Sequence, residues 1–202
     1  MGFLLEQALF YARSQSFSAD YLVKSVKLPV LVRQLLARNA HQCILRQLQP
    51  HFGPGFRQAE EEPERWLIIS DPVWLGFILQ QVLANSLNYA PSGSELIFDL
   101  ASDNGRVQLF IDDQGKGVPP EELLRIFDRG FTGQGRDRSG VKAASTGIGL
   151  YLVKRLATLL GHEVWAETPP SQPGPGSRPT HNPRPPYGPG LRIVLCFSGN
   201  RI

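Results

Sequence analysis

Three amide side chains, Gln81, Asn85 and Asn88, lie within one segment whose apolar residues recur with helical spacing. At about 100° per residue the three positions share one side of a helix, beside an apolar arc that would face the core. Amide oxygens are hard donors of the kind that Mg²⁺ accepts. The segment therefore predicts a face that binds a metal ion or phosphate groups, and the alternative is an ordinary solvated helix face.

A second candidate, DDQGKG from Asp112 to Gly117, directly follows a predicted strand. Gly115 and Gly117 would let the backbone turn sharply and approach a ligand closely. The Asp113 carboxylate before them can accept a hydrogen bond from an exocyclic amine such as that of adenine. The alternative is a plain turn that ends a strand.

Glycines that open a helix form a third candidate, STGIGL over residues 145–150. Backbone N–H groups at a helix N-terminus favour the binding of phosphate. The GxxxxGK[ST] pattern of a P-loop is absent. The motif taken alone is also compatible with a helix start that binds nothing.

The stretch between the two glycine motifs contains Phe127 and Phe131, followed by a polar, glycine-containing run. This pattern predicts a lid over residues 129–146 with an aromatic hinge, of the kind that orders when a ligand binds. The cations that such a lid offers to phosphate are Arg136, Arg138 and Lys142.

Caps and turns locate the elements that must position these residues. Asp71 and Pro72 are a favourable N-cap and first helical residue for the helix that carries the amides. Two strands before and after Asp103-Asn104-Gly105 read as a hairpin. A second long helix over about 149–160 should end at Gly161.

The remaining patterns complete the predicted fold. Residues 28–49 are helical in period with an interruption near Asn39, HFGPG reads as a turn, and RWLIIS, HEVWAET and LRIVLCFS read as strands. The order is not a regular alternation of strand and helix, which disfavours a Rossmann fold. The expected class is α+β, a two-layer sandwich with helices on one face of a mixed sheet of about five strands.

Composition excludes several function classes. The 202 residues carry 21 basic and 18 acidic side chains, a net charge of +3 without a basic stripe, which disfavours nucleic-acid binding. No apolar run approaches the roughly 20 residues that span a bilayer, and no signal peptide is visible, so we expect a cytoplasmic chain. Cys43 and Cys196 give neither a disulfide framework nor a metal set.

A proline-rich and glycine-rich stretch over residues 168–190 precedes the last predicted strand. Because prolines at this density exclude a helix or central strand, we predict a loop inserted within the fold. It is either a solvated insertion or a PxxP-type segment for an SH3-like partner.

Taken together and in this order, the motifs resemble the ATP-binding catalytic domain of bacterial sensor histidine kinases, in the superfamily shared with gyrase B, Hsp90 and MutL. QQVLANSLNYA resembles the N box, DDQGKG the G1 box, RIFDRGF the F box and STGIGLYLVKRL the G2 box. The resemblance covers about residues 4–168 and 190–198 and is greatest to the cell-envelope-stress, intramembrane-sensing type. It implies a Bergerat-type ATP-binding fold that binds ATP and Mg²⁺ and transfers the γ-phosphate to a histidine.

The resemblance also assigns roles to the N-box residues. Asn85 matches the Mg²⁺-binding asparagine, and Gln81 takes the position four residues upstream, so these two are the expected metal and catalytic residues. Asn88 stands where the family usually has a phosphate-binding lysine, a departure that puts catalytic efficiency in doubt. Tyr89 matches the aromatic residue near the adenine.

The same comparison assigns the other boxes. Asp113 matches the carboxylate that reads adenine, with Gly115 and Gly117 in the turn beneath the base, and the two F-box phenylalanines anchor the lid. The expected phosphate-facing G2 residues are Thr146, Gly147, Ile148, Gly149 and Leu150.

A complete kinase of this type carries a phosphoacceptor histidine on a dimerisation helix. His41, His51, His162 and His181 all lie outside such a context. Residues 1–20, helical over about 3–14, resemble the remnant of a dimerisation helix and linker, and 21–202 the ATP-binding kinase domain. We therefore expect a monomer that binds ATP without labelling itself and needs a histidine-bearing dimerisation domain and a response regulator as partners.

Three alternatives stay open at this stage. One is a serine kinase of the anti-sigma-factor type, and another is a catalytically weak or inactive ATP-binding interaction module. The third, an ATP-hydrolysing clamp of the Hsp90 or MutL kind, would need a downstream domain.

Overall fold

The computed structural model describes residues 2–14, 21–103, 105–132, 146–170 and 189–198. Six helices and seven strands alternate irregularly along this part of the chain, in the order α1 (Gly2–Arg13), β1 (Lys24–Lys27), α2 (Leu28–Arg38), α3 (Ala40–Leu45), β2 (Gln49–Phe52), α4 (Pro54–Glu61), β3 (Leu67–Ser70), α5 (Pro72–Tyr89), β4 (Glu95–Asp103), β5 (Arg106–Asp113), α6 (Gly149–Leu159), β6 (Glu163–Glu167) and β7 (Leu191–Ser198). Short 3₁₀ turns at Pro63–Trp66 and Arg125–Phe127 complete the elements.

The main sheet has five strands in the order β2-β4-β5-β7-β6. β2 runs parallel to β4, and the other neighbours are antiparallel, so the sheet is mixed as predicted. Asp103 pairs with Arg106 across the predicted hairpin. β1 and β3 form a separate antiparallel pair.

The core lies between one face of this sheet and the helices. Burial alternates along β5, where Val107, Leu109 and Ile111 are buried. They belong to one apolar cluster with buried residues of α5 and α6, such as Ile78 and Leu152. This arrangement confirms the two-layer α+β prediction.

Local signals set the bounds of the two long helices. The Asp71 carboxylate accepts hydrogen bonds from the backbone N–H of Val73 (2.8 Å) and Trp74 (3.2 Å), as an N-cap does. Gly161, one residue beyond the C-cap of α6, has a φ of +75° and ends that helix as predicted.

The prediction of a plain turn at HFGPG is wrong. β2 and α4 almost meet there, with only Gly53 between them. The Gly53 N–H donates to the Phe98 carbonyl (2.8 Å), and the Asp99 carboxylate accepts from the Phe56 N–H (3.0 Å). Both partners are distant in sequence, which is why local turn chemistry missed the strand and the helix.

Helix α1 packs against α5. The Phe10 ring stacks on Phe77 with 3.9 Å between centroids and meets Trp74 edge-on at 5.2 Å. The predicted helix over residues 3–14 is confirmed, and it is docked on the domain. Within the described residues, no helix is both long enough and apolar enough to cross a bilayer.

Candidate functional site

A buried carboxylate lies where β5 ends. Asp113 is only 6% exposed, and its Oδ1 accepts hydrogen bonds from the backbone N–H of Gly115 (2.9 Å) and Leu191 (3.3 Å). The Ser86 hydroxyl of α5 donates to Oδ2 at 3.3 Å. Three elements therefore hold this one side chain.

Burial dominates the electrostatics of Asp113. It raises the pKa of the carboxyl group to about 6, against the three hydrogen bonds, which lower the pKa. Among the described residues Asp113 forms no salt bridge, so its hydrogen-bond donors alone stabilise the charged form. Such a carboxylate is well suited to accept an N–H from a ligand.

The loop after Asp113 is held tightly to its surroundings. A Cβ at Gly115 would lie 2.9 Å from Oδ1 of Asp113 and 3.2 Å from the Tyr89 carbonyl oxygen, so a side chain there would require the Asp113 carboxylate to shift. Gly117 has a φ of +74°, and a Cβ there would lie 2.6 Å from Cγ of Pro189. The Gly190 N–H donates to the Gly115 carbonyl at 3.0 Å. The predicted glycine turn is thus present, clamped between α5 and the start of β7.

The amides of α5 occupy different environments. Gln81 is 2% exposed, and its Oε1 accepts from Nε2 of Gln7 in α1 at 2.6 Å. The Gln81 Nε2 is buried without a partner in the described part of the chain. Asn85 is half-buried and Asn88 is exposed. Gln81 therefore lies inside the helix packing, and a uniformly solvated amide face is excluded.

Gln81 meets the start of α6. A Cβ at Gly149 would lie 3.2 Å from the Gln81 Oε1, which shows how closely the two helices approach there. Ile148, the N-cap of α6, makes no side-chain capping bond. The first N–H groups of α6 thus keep the anion-binding capacity of a helix N-terminus.

The predicted lid begins and ends at one point. The Gly130 N–H donates to the Gly147 carbonyl at 3.0 Å, and Gly147 has a φ of +64°. A Cβ at Gly147 would lie 2.5 Å from the Gly130 carbonyl carbon. Phe127 and Phe131 are half-buried against the apolar core, as an anchor for this segment requires. The role of this segment as a lid stays a prediction.

The other predicted G2 residues flank this point, where the Ile148 N–H donates to the Thr146 hydroxyl at 3.3 Å and Leu150 is half-buried. Residues 133–145 lie outside the described residues, and with them the predicted lid cations Arg136, Arg138 and Lys142.

Sequence reasoning missed several residues of the site: Gln7, Ser86, Gly190 and the backbone of Leu191. Ser86 carried a usable signal, because a hydroxyl among the buried residues of α5 needs a partner. The other three approach from distant parts of the chain and left no local pattern.

The residues present are compatible with Mg²⁺. No cluster of three or more His, Cys, Asp or Glu occurs in the described ranges, so an ion here would take amide oxygens and ligand phosphates. Asn85 is half-buried and makes no hydrogen bond to another described residue through its side chain. Its carbonyl oxygen suits this role, whereas the Gln81 oxygen already accepts from Gln7.

The site thus combines a buried carboxylate at a strand end, a glycine turn packed between α5 and β7, and a helix that opens with glycine. The family model described as histidine kinase-, DNA gyrase B- and HSP90-like ATPase matches residues 70–189, more than half of the chain. The chain belongs to this family.

Its curated relatives are sensor proteins of bacteria. It is 32% identical over 154 residues to the sensor protein BceS of Halalkalibacterium halodurans, covering 76% of this chain and 42% of the relative. It is 29% identical over 171 residues to the sensor histidine kinase YxdK of Bacillus subtilis, covering 84% and 49%. The chain thus spans less than half the length of these relatives.

Solved structures give the same fold. The mycobacterial sensor histidine kinase MprB matches with a TM-score of 0.62 at 22% identity, over 90% of this chain and all of that one. Full-length ShkA in complex with AMPPNP matches with a TM-score of 0.66 at 18% identity, over 98% of this chain and 36% of that one. The shared fold is that of histidine kinase catalytic domains.

Proposed function

We propose that this chain binds Mg²⁺-ATP and transfers the γ-phosphate to a histidine on a separate dimerisation domain, which would pass it to a response regulator. The observation that carries the proposal is the buried Asp113, held by α5, the glycine loop and β7 beside the turn of Gly115 and Gly117. In the relatives this domain is part of longer sensor kinases.

Each residue has a defined task in this proposal. The Asp113 carboxylate accepts the N–H of the adenine amine, and Gly115 and Gly117 let the base lie against the backbone. Tyr89, half-buried at the end of α5, contributes an aromatic surface beside it. The N–H groups that open α6 at Gly149 bind the phosphates.

The transfer itself needs positioning and charge neutralisation. An imidazole nitrogen of the partner attacks the γ-phosphorus, the bond from that phosphorus to the bridging oxygen breaks, and ADP leaves with the bond electrons. Mg²⁺, when bound, would neutralise phosphate charge, and the carboxamide oxygen of Asn85 would hold it.

Two observations favour a second candidate, an ATP-binding module with weak or no transfer. Asn88, which replaces the family's usual lysine, is an exposed, uncharged amide. The Gln81 oxygen, which lies beside the start of α6, already accepts a hydrogen bond from Gln7. Both features would leave binding intact while slowing transfer.

A transfer assay in trans separates these functions. The purified chain is incubated with γ-labelled ATP, Mg²⁺ and the isolated histidine-bearing helical domain of a BceS relative, with the histidine-to-alanine form of that domain as control. Histidine kinase activity predicts acid-labile label on the histidine form only. Acid-stable label would indicate serine transfer, and ATP binding without label would indicate the binding module.

A further inference from the structure

The Asp113 carboxylate offers a limited number of acceptor positions. An ionised carboxylate has about four lone-pair sites. Gly115 and Leu191 donate backbone N–H bonds to Oδ1, and the Ser86 hydroxyl donates to Oδ2. With respect to the described residues, one position on Oδ2 therefore stays free for a ligand.

The donor from Ser86 differs in kind from the other two. The N–H groups of Gly115 and Leu191 belong to the backbone and are present whatever side chains stand there, whereas the hydroxyl depends on the residue type at 86. Ser86 is 3% exposed, so its hydroxyl has no bulk water as a substitute partner. The hydrogen bond from Ser86 to Asp113 therefore depends on the side chain at position 86.

The charged neighbours of Asp113 do not replace this donor. Asp112, next on the same strand, points to the opposite face, where Arg192 of β7 forms a bidentate pair with it at 2.7 Å for each bond. Glu95 at the start of β4 bonds to the Gln114 side chain. Lys116 in the loop is exposed, and Tyr89 is the titratable side chain at this end of α5.

We infer that Ser86 is a positioning residue for the base-binding carboxylate: its hydroxyl favours the ionised form of Asp113 and leaves one acceptor position for a base that presents a single amine N–H. This inference rests on the proposed function, because it concerns the ATP site. It adds Ser86 to the residues of α5 that serve the base, beside Tyr89, whereas Asn85 serves the phosphate side.

The consequence is a pH dependence of nucleotide binding that Ser86 controls. Protonation of Asp113 removes the charge-assisted bond to the base, so affinity falls as the pH drops through the pKa of Asp113, which is about 6. Removing a donor that favours the charged form raises that pKa. Ser86→Ala should therefore lose affinity at a higher pH than the unaltered protein does.

The experiment compares four proteins: unaltered, Ser86→Ala, Ser86→Thr and Ser94→Ala. ATP affinity is measured by calorimetry between pH 5 and 8.5, and the Asp113 carboxyl titration is followed by carbon NMR without ATP. Ser94→Ala is the matched control, because Ser94 is 1% exposed and its hydroxyl donates to the Pro91 carbonyl (2.7 Å), away from Asp113.

We expect Ser86→Ala to bind ATP about 2- to 5-fold more weakly than the unaltered protein at pH 6 and about equally at pH 8.5, where Asp113 is ionised in both proteins. Its titration midpoint should lie about 0.5 to 1 unit higher, because one donor to the charged form is lost. Ser86→Thr, which keeps the hydroxyl, and Ser94→Ala should both retain the midpoint of the unaltered protein.

Two results would overturn the inference: an unchanged midpoint in Ser86→Ala, or equal losses of affinity in Ser86→Ala and Ser86→Thr, which would show a packing role. A failure of the proposed function is distinct, because the unaltered protein would then bind no ATP at any pH. The NMR midpoint tests Ser86 even in that case.

Discussion

At the scale of single residues, Gly190 shows how tightly the site is built. Its φ is +78°, and a Cβ there would lie 2.2 Å from the Asp113 carbonyl oxygen. Gly105 has a similar φ of +75°, but a Cβ there would meet nothing within 4 Å. A substitution at either glycine would therefore strain the backbone, but only at Gly190 would the new Cβ also clash with a neighbouring atom.

Gly190→Ala should consequently destabilise the protein by about 2–4 kcal/mol and weaken ATP binding, because the start of β7 must move away from Asp113. Gly105→Ala should cost only about 1–2 kcal/mol, the strain of a left-handed alanine, with unchanged ATP affinity. Denaturant unfolding and calorimetry measure both quantities. Equal behaviour of the two variants would contradict the close approach at Gly190.

The residues that act within one local motif could be predicted from the sequence. Asp113, Gly115 and Gly117 needed only a strand end and a turn, and Gly147 and Gly149 only a helix start. Their positions in the structure agree with those patterns. Gln7 of α1 and the Leu191 backbone could not be predicted, since a hydrogen bond across 74 or 78 residues leaves no local trace.

At the scale of elements, α1 docks on the domain through one face of the helix, and the Ser14 hydroxyl just after it accepts a hydrogen bond from Arg155. Phe10 is 8% exposed between Trp74 and Phe77, and Gln7 bonds to Gln81. Leu9 on the same helix is 55% exposed. The docking of α1 therefore depends on its inner face, and that docking determines whether the Gln81 oxygen is free.

Phe10→Ala should weaken the docking of α1 while the five-stranded sheet stays folded, because a buried phenylalanine contributes about 3–5 kcal/mol and α1 packs on the helices rather than on the sheet. Hydrogen exchange followed by mass spectrometry should show faster exchange over residues 2–14 and unchanged exchange in β4 and β5. Leu9→Ala is the control and should leave exchange in α1 as it was. Protection of α1 in Phe10→Ala equal to that in the unaltered protein would contradict this account of its docking.

Elements formed by local capping were predicted better than elements formed by distant partners. Asp71 and Pro72 marked the start of α5, and the hairpin between β4 and β5 followed from its turn residues. The helix α4 begins with the same kind of N1 proline, Pro54, but its capping carboxylate is Asp99 on β4. This cap cannot be recognised from the sequence around Pro54, because Asp99 approaches α4 only in the folded sheet.

At the scale of the whole molecule, His162 makes stability depend on pH. Its Nε2 lies 2.8 Å from the Ser70 hydroxyl, and its Nδ1 is buried without a partner among the described residues. Burial lowers the pKa of His162 to about 4, from an ordinary value near 6.5. His162 is thus a buried histidine of the core.

The unfolded chain binds more protons at His162 than the folded chain does between about pH 4 and pH 6.5, so this contribution to stability is lost as the pH falls through that range. The raised pKa of Asp113 acts in the opposite sense, because its contribution is lost as the pH rises from about 4 to about 6. Because the unaltered protein and His162→Gln both contain Asp113, its contribution cancels when their free energies of unfolding are subtracted.

We expect the free energy of unfolding of the unaltered protein, minus that of His162→Gln, to decrease as the pH is lowered from about 6.5 to about 4. Urea unfolding at several pH values measures this difference. His41→Gln, which replaces an exposed histidine, serves as the control for the substitution itself. A pH-independent difference for His162→Gln would show that this imidazole is not buried in its neutral form.

The central claim, that Asp113 reads the base of a bound ATP, is tested most directly by titrating ATP into the purified protein by calorimetry, with and without Mg²⁺. Asp113→Asn is compared with Asp112→Asn, which changes the neighbouring carboxylate on the opposite face of the sheet. We predict Mg²⁺-dependent binding that is about 10- to 150-fold weaker in Asp113→Asn and unchanged in Asp112→Asn. Equal ATP affinity in Asp113→Asn and the unaltered protein, with both folded, would contradict the assignment.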